Sequence, residues 1–420
     1  MDNGIINIKQ EINNIPQFKE ITVIGDPGCD GLGAGTMSIF AKALTCLHSD
    51  FTIIVGDIVH KGIKPLYKSV VDFANAVSLN NVYMLCGNHD TAYYEDYFGL
   101  RNYILYNENT LLIFLDDSKR SFEEQTIDFL SKVLKDYDRE NIVLFFHIPP
   151  PNTIGTNTIN QTEWEKVVKV IENYKVHIKY IICGHVHSYY EDSVDGIKLI
   201  VTGGGGARIE YVNEKIDKLK AHHHIVKLYY NSDNILLHEH ISLQDVMFKK
   251  ELLDNKLKEY LEKALTNEAI AHVKYKLFAS DAEEKGFIGL AKMFRAFADA
   301  EFYHARNHFY VLNKMESIEK NLKNSNENET YEIDVMYKDF LEYSLSQKHG
   351  LASYTFFDAL EAEKIHQKLV CEAIESFNNN KDVADDTYYT CSSCGQTFKG
   401  IKPQNCHICG APSDKIFEVK

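Results

Sequence analysis

Through the first 245 residues, short apolar runs alternate with stretches whose apolar positions recur every three or four residues. The runs ITVIG (21–25), FTIIVG (51–56), VYMLCG (82–87), LLIFL (111–115), IVLFF (142–146), YIICG (180–184) and LIVTG (199–203) are uninterrupted and rich in β-branched residues. Such runs predict strands buried on both faces. Helical periods fall between them near 36–48, 66–78, 122–136 and 163–174. Buried strands alternating with helices predict a layered α/β sandwich. The alternating stretch VKLYYNSDNILLHEH predicts a terminal hairpin, with His238 and His240, like His222, His223 and His224 before them, as ordinary strand residues.

The pattern then changes to Lys, Glu, Ala and Leu at helical spacing, which places a domain boundary near Ser242 to Met247. Four helices are predicted near 249–285, 287–315, 328–348 and 351–378, punctuated by Gly286, a polar NLKNSNENE linker and Gly350. A cysteine-bearing tail closes the chain. The expected organisation is three modules: 1–245, 246–382 and 386–420.

At 420 residues with 45% hydrophobic and 12% aromatic content, the chain can bury more than one core. A net charge of -15 argues against an electrostatic grip on nucleic acid or an anionic membrane surface, so no nucleic acid and no membrane are expected as partners. The start, MDNGIINIKQEINN, carries acids and amides where a signal peptide has a basic patch and an apolar run. A cytoplasmic location is therefore expected, and nine cysteines are read as reduced thiols plus one metal site.

The residues just after each predicted strand carry the chemistry. Asp26 comes after the first, Asp57 after the second, Asn88 and His89 after the third, His147 after the fifth, and His185 with His187 after the sixth. A single Asp after a strand is ordinarily a turn or a helix cap. Oxygen and imidazole donors after strand upon strand, at the carboxyl ends where such folds place their sites, are what two metal ions need. Gly31 to Gly35 lack the G-x-G-x-x-G spacing of a dinucleotide loop, and Gly203 to Gly206 are expected to give close backbone approach beneath the metals.

These segments resemble the calcineurin-like metallophosphoesterases, and within them the purple acid phosphatase arrangement: Gly25-Asp26-Pro27-Gly28, Gly56-Asp57, Gly87-Asn88-His89-Asp90, His147 followed by Pro149, and Gly184-His185-Val186-His187. The resemblance implies one metal on Asp26, Asp57 and His187 and a second on Asp57, Asn88, His147 and His185, the ions being iron, manganese or zinc. It makes Asp57 and His89 catalytic, His89 steadying or protonating the leaving oxygen of a small-molecule phosphoester. Two departures stand out. Gly28 occupies the position of the superfamily's first-motif His, and His60 that of the purple phosphatases' Tyr, so His60 is expected to ligate in its place.

In the helical half, Glu301-Phe302-Tyr303-His304 and Glu363-Lys364-Ile365-His366 repeat one phrase. Residues three apart share a helix face, so each phrase aims a carboxylate and an imidazole at one point. Glu268 on an earlier helix and Glu329 and Glu332 on a later one complete the donor set of a ferritin-like four-helix bundle holding two irons. The segment resembles rubrerythrin, which implies that same ligand set, Tyr275 and Tyr337 as hydrogen-bond donors around it, and reduction of hydrogen peroxide. Cys391-x-x-Cys394-Gly and Cys406-x-x-Cys409-Gly form two knuckles that can close on one metal. After a di-iron bundle the tail resembles rubredoxin, which implies iron rather than zinc, electron delivery to the bundle, an electron-donating reductase as partner and a homo-oligomer. Alternatives left by the sequence are an N-terminal domain that only binds or senses, and a bundle that stores iron or senses oxygen to regulate the phosphoesterase.

Overall fold

The structure is a computed structural model and describes residues 4–28, 36–137, 139–155, 157–210, 222–243 and 253–419. The chain divides into two compact units, Met1–Glu251 and Leu252–Lys420. The Gly31 to Gly35 segment and most of the expected boundary at 242–247 lie outside the described residues.

In the first unit the apolar runs become the inner strands of two stacked sheets. One has the order β1 (Gly4–Ile5), β5 (Asn81–Leu85), β4 (Phe51–Val55), β3 (Glu20–Ile24), β12 (His224–Tyr230) and β13 (Leu236–Ser242). The other has the order β10 (Tyr189–Val194), β11 (Ile197–Thr202), β9 (Ile178–Cys183), β8 (Asn141–Phe145), β7 (Thr110–Phe114), β6 (Tyr103–Tyr106) and β2 (Ile12–Asn14). Val23, Ile53, Leu112 and Val143 lie in the core between the sheets. Helices α1 (Thr36–Thr45) and α2 (Lys64–Val77), with the short α3 (Tyr94–Phe98) after them, cover the six-stranded sheet through Phe40, Tyr67 and Phe98. Helices α4 (Glu124–Asp136) and α5 (Gln161–Ile171) cover the seven-stranded sheet through Leu130 and Trp164. The layers are thus helix, sheet, sheet, helix, as the alternating pattern predicted.

Register decides where the chemistry collects. β3, β4 and β5 are parallel, with Ile24 opposite Ile54 and Val55 opposite Leu85. The loops beginning at Gly25, Gly56 and Cys86 therefore leave from one edge. In the other sheet Phe145 pairs with Ile182 and Cys183 with Val201, which brings the loops carrying His147 and His185 to a common edge too.

In the second unit α6 (Asn255–Glu284) and α7 (Ile288–Val311) pair along a seam of small residues: Ala279 and Ala282 on one helix, Ala291, Ala298 and Ala305 on the other. The seven-residue spacing on α7 keeps that seam facing its partner. Helix α8 (Ile318–Tyr331), a turn of π-helix (Glu332–Met336) and α9 (Tyr337–Ser346) run on without a break and pack against α10 (Gly350–Asn378). The segment NLKNSNENE, expected as a linker, is thus helix. Ser317 Oγ caps its start by accepting from Lys320 N at 3.3 Å, and Asn326 and Thr330 bond Cys371 and Gln367 on α10. The tail forms a three-stranded sheet, β14 (Tyr388–Cys391) flanked by β15 (Thr397–Lys399) and β16 (Ile416–Glu418), around its own small core. No helix among the described residues is long and apolar enough to cross a membrane.

Candidate metal centres

The first centre lies at the carboxyl edge of the sandwich. Asp57, His147 and His185 bring one ligand atom each within 4.8 Å of one another. Backbone donors fix the carboxylates: His89 N donates to Asp57 Oδ1 at 2.9 Å, and His185 N to Asp26 Oδ2 at 2.8 Å. His147 Nδ1–H donates to the Val55 carbonyl at 2.9 Å, which turns Nε2 inward to 3.1 Å from Asn88 Oδ1 and 3.2 Å from Asp57 Oδ2. His187 Nε2 stands 3.6 Å from Asp26 Oδ1. Close backbone approach is required here, because a methyl group on Gly87 would overlap Asp57 Oδ1 and its backbone N. Gly203 and Gly205 abut the backbone of Val186 and Gly25, the close approach expected of the glycine run. Asp26, Asp57 and His185 all hold positive φ, at 48°, 51° and 67°. For residues with a Cβ that conformation is costly, and it clusters where function over-determines it.

The electrostatics suit a cation. Burial, with Asp57 close by, pushes the Asp26 carboxyl well above its usual range. Burial also opposes charge on Asp57, yet adjacent His147 outweighs it and holds Asp57 down to about 2. Burial disfavours the His147 imidazolium, but Asp57 and Asp26 drive it up to about 10. Buried carboxylates drawn this close pair with a cation or coordinate metal, and the oxygen and imidazole donors present fit a pair of divalent or trivalent ions.

The remaining expected residues take these places. His89 is part-exposed, its Nε2 3.9 Å from Asp57 Oδ2, and its ring stacks on His60 at 5.3 Å. His60 itself is exposed and stands beside His89, outside the Asp57–His147–His185 set. Two residues went unread. Asp117, just past β7, accepts from His147 N and Ile148 N at 2.9 Å each and so fixes the loop that carries His147. Its place two residues past the LLIFL run, close to that of Asp26 and Asp57 after theirs, is the signal that marks it. Arg120 Nη2 lies 3.1 Å from His185 Nε2, a guanidinium beside the donor set that no motif announced.

The helical unit holds two separate triads. Glu268, Glu301 and His304 converge on α6 and α7, and Glu329, Glu363 and His366 on α8 and α10. His304 Nδ1 is 2.8 Å from Glu301 Oε2, and His366 Nδ1 is 2.6 Å from Glu363 Oε2. A shared hydrogen bond with Glu301, helped by burial, raises Glu268. Burial, with Glu363 and Glu332 alongside, pushes Glu329 up to about 7, and its Oε2 is buried with no hydrogen-bond partner. A bare inward lone pair among carboxylates fits a metal ion. Burial and Glu363 raise Glu332, which opens the π-helical turn, a deformation common at functional sites. Burial, and then Glu332 and Glu363, raise the Tyr337 phenol. Tyr275 packs its ring against Phe294 and Phe297.

The third centre is in the tail. Cys391 and Cys409 Sγ are 3.7 Å apart and Cys394 and Cys406 Sγ 3.4 Å. A tetrahedral metal with bonds of about 2.3 Å needs sulfurs separated by about 3.8 Å, so the four thiols fit one ion. Burial opposes the Cys391 thiolate, but the backbone amides of Ser393 and Cys394 stabilise it and bring it down to about 7. The tail touches the second triad: His366 Nε2 lies 3.0 Å from Thr397 Oγ1.

Fold and donors together define a metal-binding protein of two kinds, a calcineurin-like metallophosphoesterase domain joined to a helical rubrerythrin domain with a four-cysteine tail. The calcineurin-like phosphoesterase family model matches residues 19–189 and the rubrerythrin model residues 259–374. The chain belongs to the rubrerythrin family: Rubrerythrin-2 of Clostridium acetobutylicum is 34% identical over 172 residues, covering 38% of this chain and 94% of that protein. Nigerythrin of Nitratidesulfovibrio vulgaris is 29% identical over 170 residues, covering 37% of this chain and 83% of that protein. Among solved structures, a dimetal phosphatase from Danio rerio aligns at 14% identity and a TM-score of 0.43, covering 53% of this chain and 96% of that one.

Proposed function

We propose that the chain joins two enzymes: a dimetal phosphoester hydrolase and a di-iron peroxide reductase fed through an iron held by the four cysteines. The observation that carries this reading is the presence of three donor sets of different chemistry in one chain: carboxylate with imidazole at a sheet edge, paired Glu/His triads on helices, and four thiols. When bound, the metals would supply Lewis acidity at the first set and one-electron redox steps at the other two. Asp26, Asp57, Asn88, His147, His185 and His187 would hold the first pair; the triads with Glu332 would hold two irons; Cys391, Cys394, Cys406 and Cys409 would hold one more.

The chain's own residues do the rest. Val55 and Asp117 lock the His147 ring and loop, so Nε2 is presented without reorganisation. His89, part-exposed at the edge of the set, donates a proton to the departing alkoxide. Arg120 meets the phosphoryl oxygens with a planar fork of donors. In the helical unit, His366 turns Nδ1 to Glu363 and shares a hydrogen bond between Nε2 and Thr397 Oγ1, so the second triad touches the thiolate-bearing tail directly. The net reaction takes hydrogen peroxide, two electrons and two protons to two waters, the electrons coming from an external reductase.

The test is a pair of assays on the full chain: hydrolysis of a chromogenic phosphomonoester with manganese or iron, and peroxide consumption with a reductase. His89→Ala should depress only the first and Glu363→Ala only the second. A wild-type chain loaded with metal yet inert in both would refute the reading.

A further inference from the structure

The closing hairpin of the sandwich gathers histidines on its inner face, away from the donor sets already described. β12 and β13 are antiparallel, with His224 opposite Ser242 and Val226 opposite His240. Residues two apart on a strand share a face, and so do cross-strand partners. His224, Val226 and His240 therefore point the same way, and Val226 lies in the core between the sheets. His222, just ahead of β12, joins them. Ring centres are 5.1 Å apart for His224 and His240, 5.2 Å for His222 and His240, and 6.3 Å for His222 and His224. His238 is engaged elsewhere: its Nε2 is 3.2 Å from Glu191 Oε1, and Glu191 also takes Lys198 Nζ at 2.8 Å.

Three imidazoles packed together inside a sandwich need a physical reason. His224 is 0% exposed, and Gly204 has to be a glycine beside it, because a Cβ there would stand 2.2 Å from the ring. Its Nδ1–H donates to the His222 carbonyl at 2.7 Å, which fixes the tautomer and leaves the lone pair on Nε2. That Nε2 is buried with no hydrogen-bond partner. A bare buried lone pair is costly, and an imidazole tied to a carbonyl through one nitrogen with the other bare has the form of a metal ligand. Burial, with His240 and His222 beside it, holds His224 down to about 3, so the ring is neutral. The Nε2 atoms of His222 and His240 are buried as well. A second bare atom lies on the facing sheet: Thr202 Oγ1, on a residue 0% exposed, has no hydrogen-bond partner. Thr202 is directly opposite Tyr189 across β10 and β11, and the Tyr189 ring packs on His240 at 4.3 Å and on His224 at 5.4 Å.

We propose that His222, His224 and His240 form a further metal site, taking one zinc-class dication with a water as fourth ligand and Thr202 Oγ1 bonded to that water. A tetrahedral ion with imidazole bonds of about 2.0–2.1 Å sets ring centres about 5 Å apart, the spacing His240 keeps with both neighbours. Bringing all three Nε2 atoms onto one ion asks the rings to turn about Cβ–Cγ, a torsion that is broad for imidazole, and His222 to close toward His224. The donors choose the metal: three neutral imidazoles without a carboxylate suit zinc, or cobalt in its place, and offer little to magnesium or calcium. The bound ion would fasten β13 to the start of β12 beside Gly204, a structural role independent of what the Asp57 set hydrolyses.

Counting zinc on the full-length chain tests it. His240→Gln and His222→Gln should each retain one zinc fewer than the native chain after equilibration and removal of loose metal, with circular dichroism unchanged. Equal counts in the native chain and both variants would overturn the proposal. So would loss of two or more ions in either variant, which would tie these rings to the Asp57 set instead. A second measurement needs no variant: crystals of the full chain grown with zinc, with diffraction recorded on both sides of the zinc absorption edge. An anomalous peak among the three rings is expected. A peak there without anomalous signal, an ordered water only, would overturn the proposal.

Discussion

The sandwich and the helical unit both gather carboxylates and imidazoles, yet they hold them in opposite ways. In the sandwich, Asp26 and His147 are fully buried and Asp57 nearly so, each tied by backbone donors or acceptors at the ends of paired strands. In the helical unit, Glu301 and Glu363 are bonded chiefly to the histidine three residues on, and His304 is more than half exposed. Among the described residues the sandwich exposes six large apolar side chains, Ile63, Leu79, Tyr93, Leu100, Val176 and Ile235, and the helical unit more than four times as many. A sheet edge fixes its donors through the backbone; a pair of helices leaves its donors bonded to one another.

Single substitutions separate the two kinds of site. The largest effect is expected at Asp57. Asp57→Asn should lower phosphoester turnover about a thousandfold, ~4 kcal/mol, and leave helical-domain iron unchanged by metal analysis; loss at both places would mean the two sites are not independent. Gly87→Ala forces a methyl onto Asp57 and should destabilise the sandwich by roughly 2 kcal/mol, read as an earlier transition in chemical unfolding. Thr397→Val removes the hydroxyl that hydrogen-bonds His366 Nε2 and should slow re-reduction of the helical centre about tenfold in stopped-flow spectra, with the four-thiolate absorption unmoved. Arg120→Ala should raise KM about tenfold, ~1.5 kcal/mol, with kcat changed less. The smallest effect is expected at Gly289, where a Cβ meets nothing within 4 Å. Gly289→Ala should be neutral or stabilising by about 0.5 kcal/mol, the reverse in sign of Gly87→Ala.

Legibility in the sequence tracked burial. FTIIV and NIVLF are strands buried throughout, and their uninterrupted β-branched runs declared them. The strands Ile12–Asn14 and Tyr189–Val194 lie at the sheet's edges, with too few buried positions to form a run. NLKNSNENE carries no apolar period because its helix is held by a serine cap and polar bonds to α10, so it read as a linker. The Glu-x-x-His phrases were visible because their chemistry is local to one helix. That they fall into two triads was not, since the spacing within one helix does not say which helices pack together. Arg120 escaped for a related reason: it reaches His185 by fold alone, 65 residues away.

The most direct test is what the purified full-length chain holds. Metal analysis with visible spectra, on protein made in iron-replete cells, should find two metals lost with Asp57→Asn, two irons lost with Glu363→Ala together with His366→Ala, and one thiolate-bound iron lost with Cys406→Ser. Zinc in the cysteine knuckles together with an iron-free helical unit would contradict three metal centres of this kind in one chain.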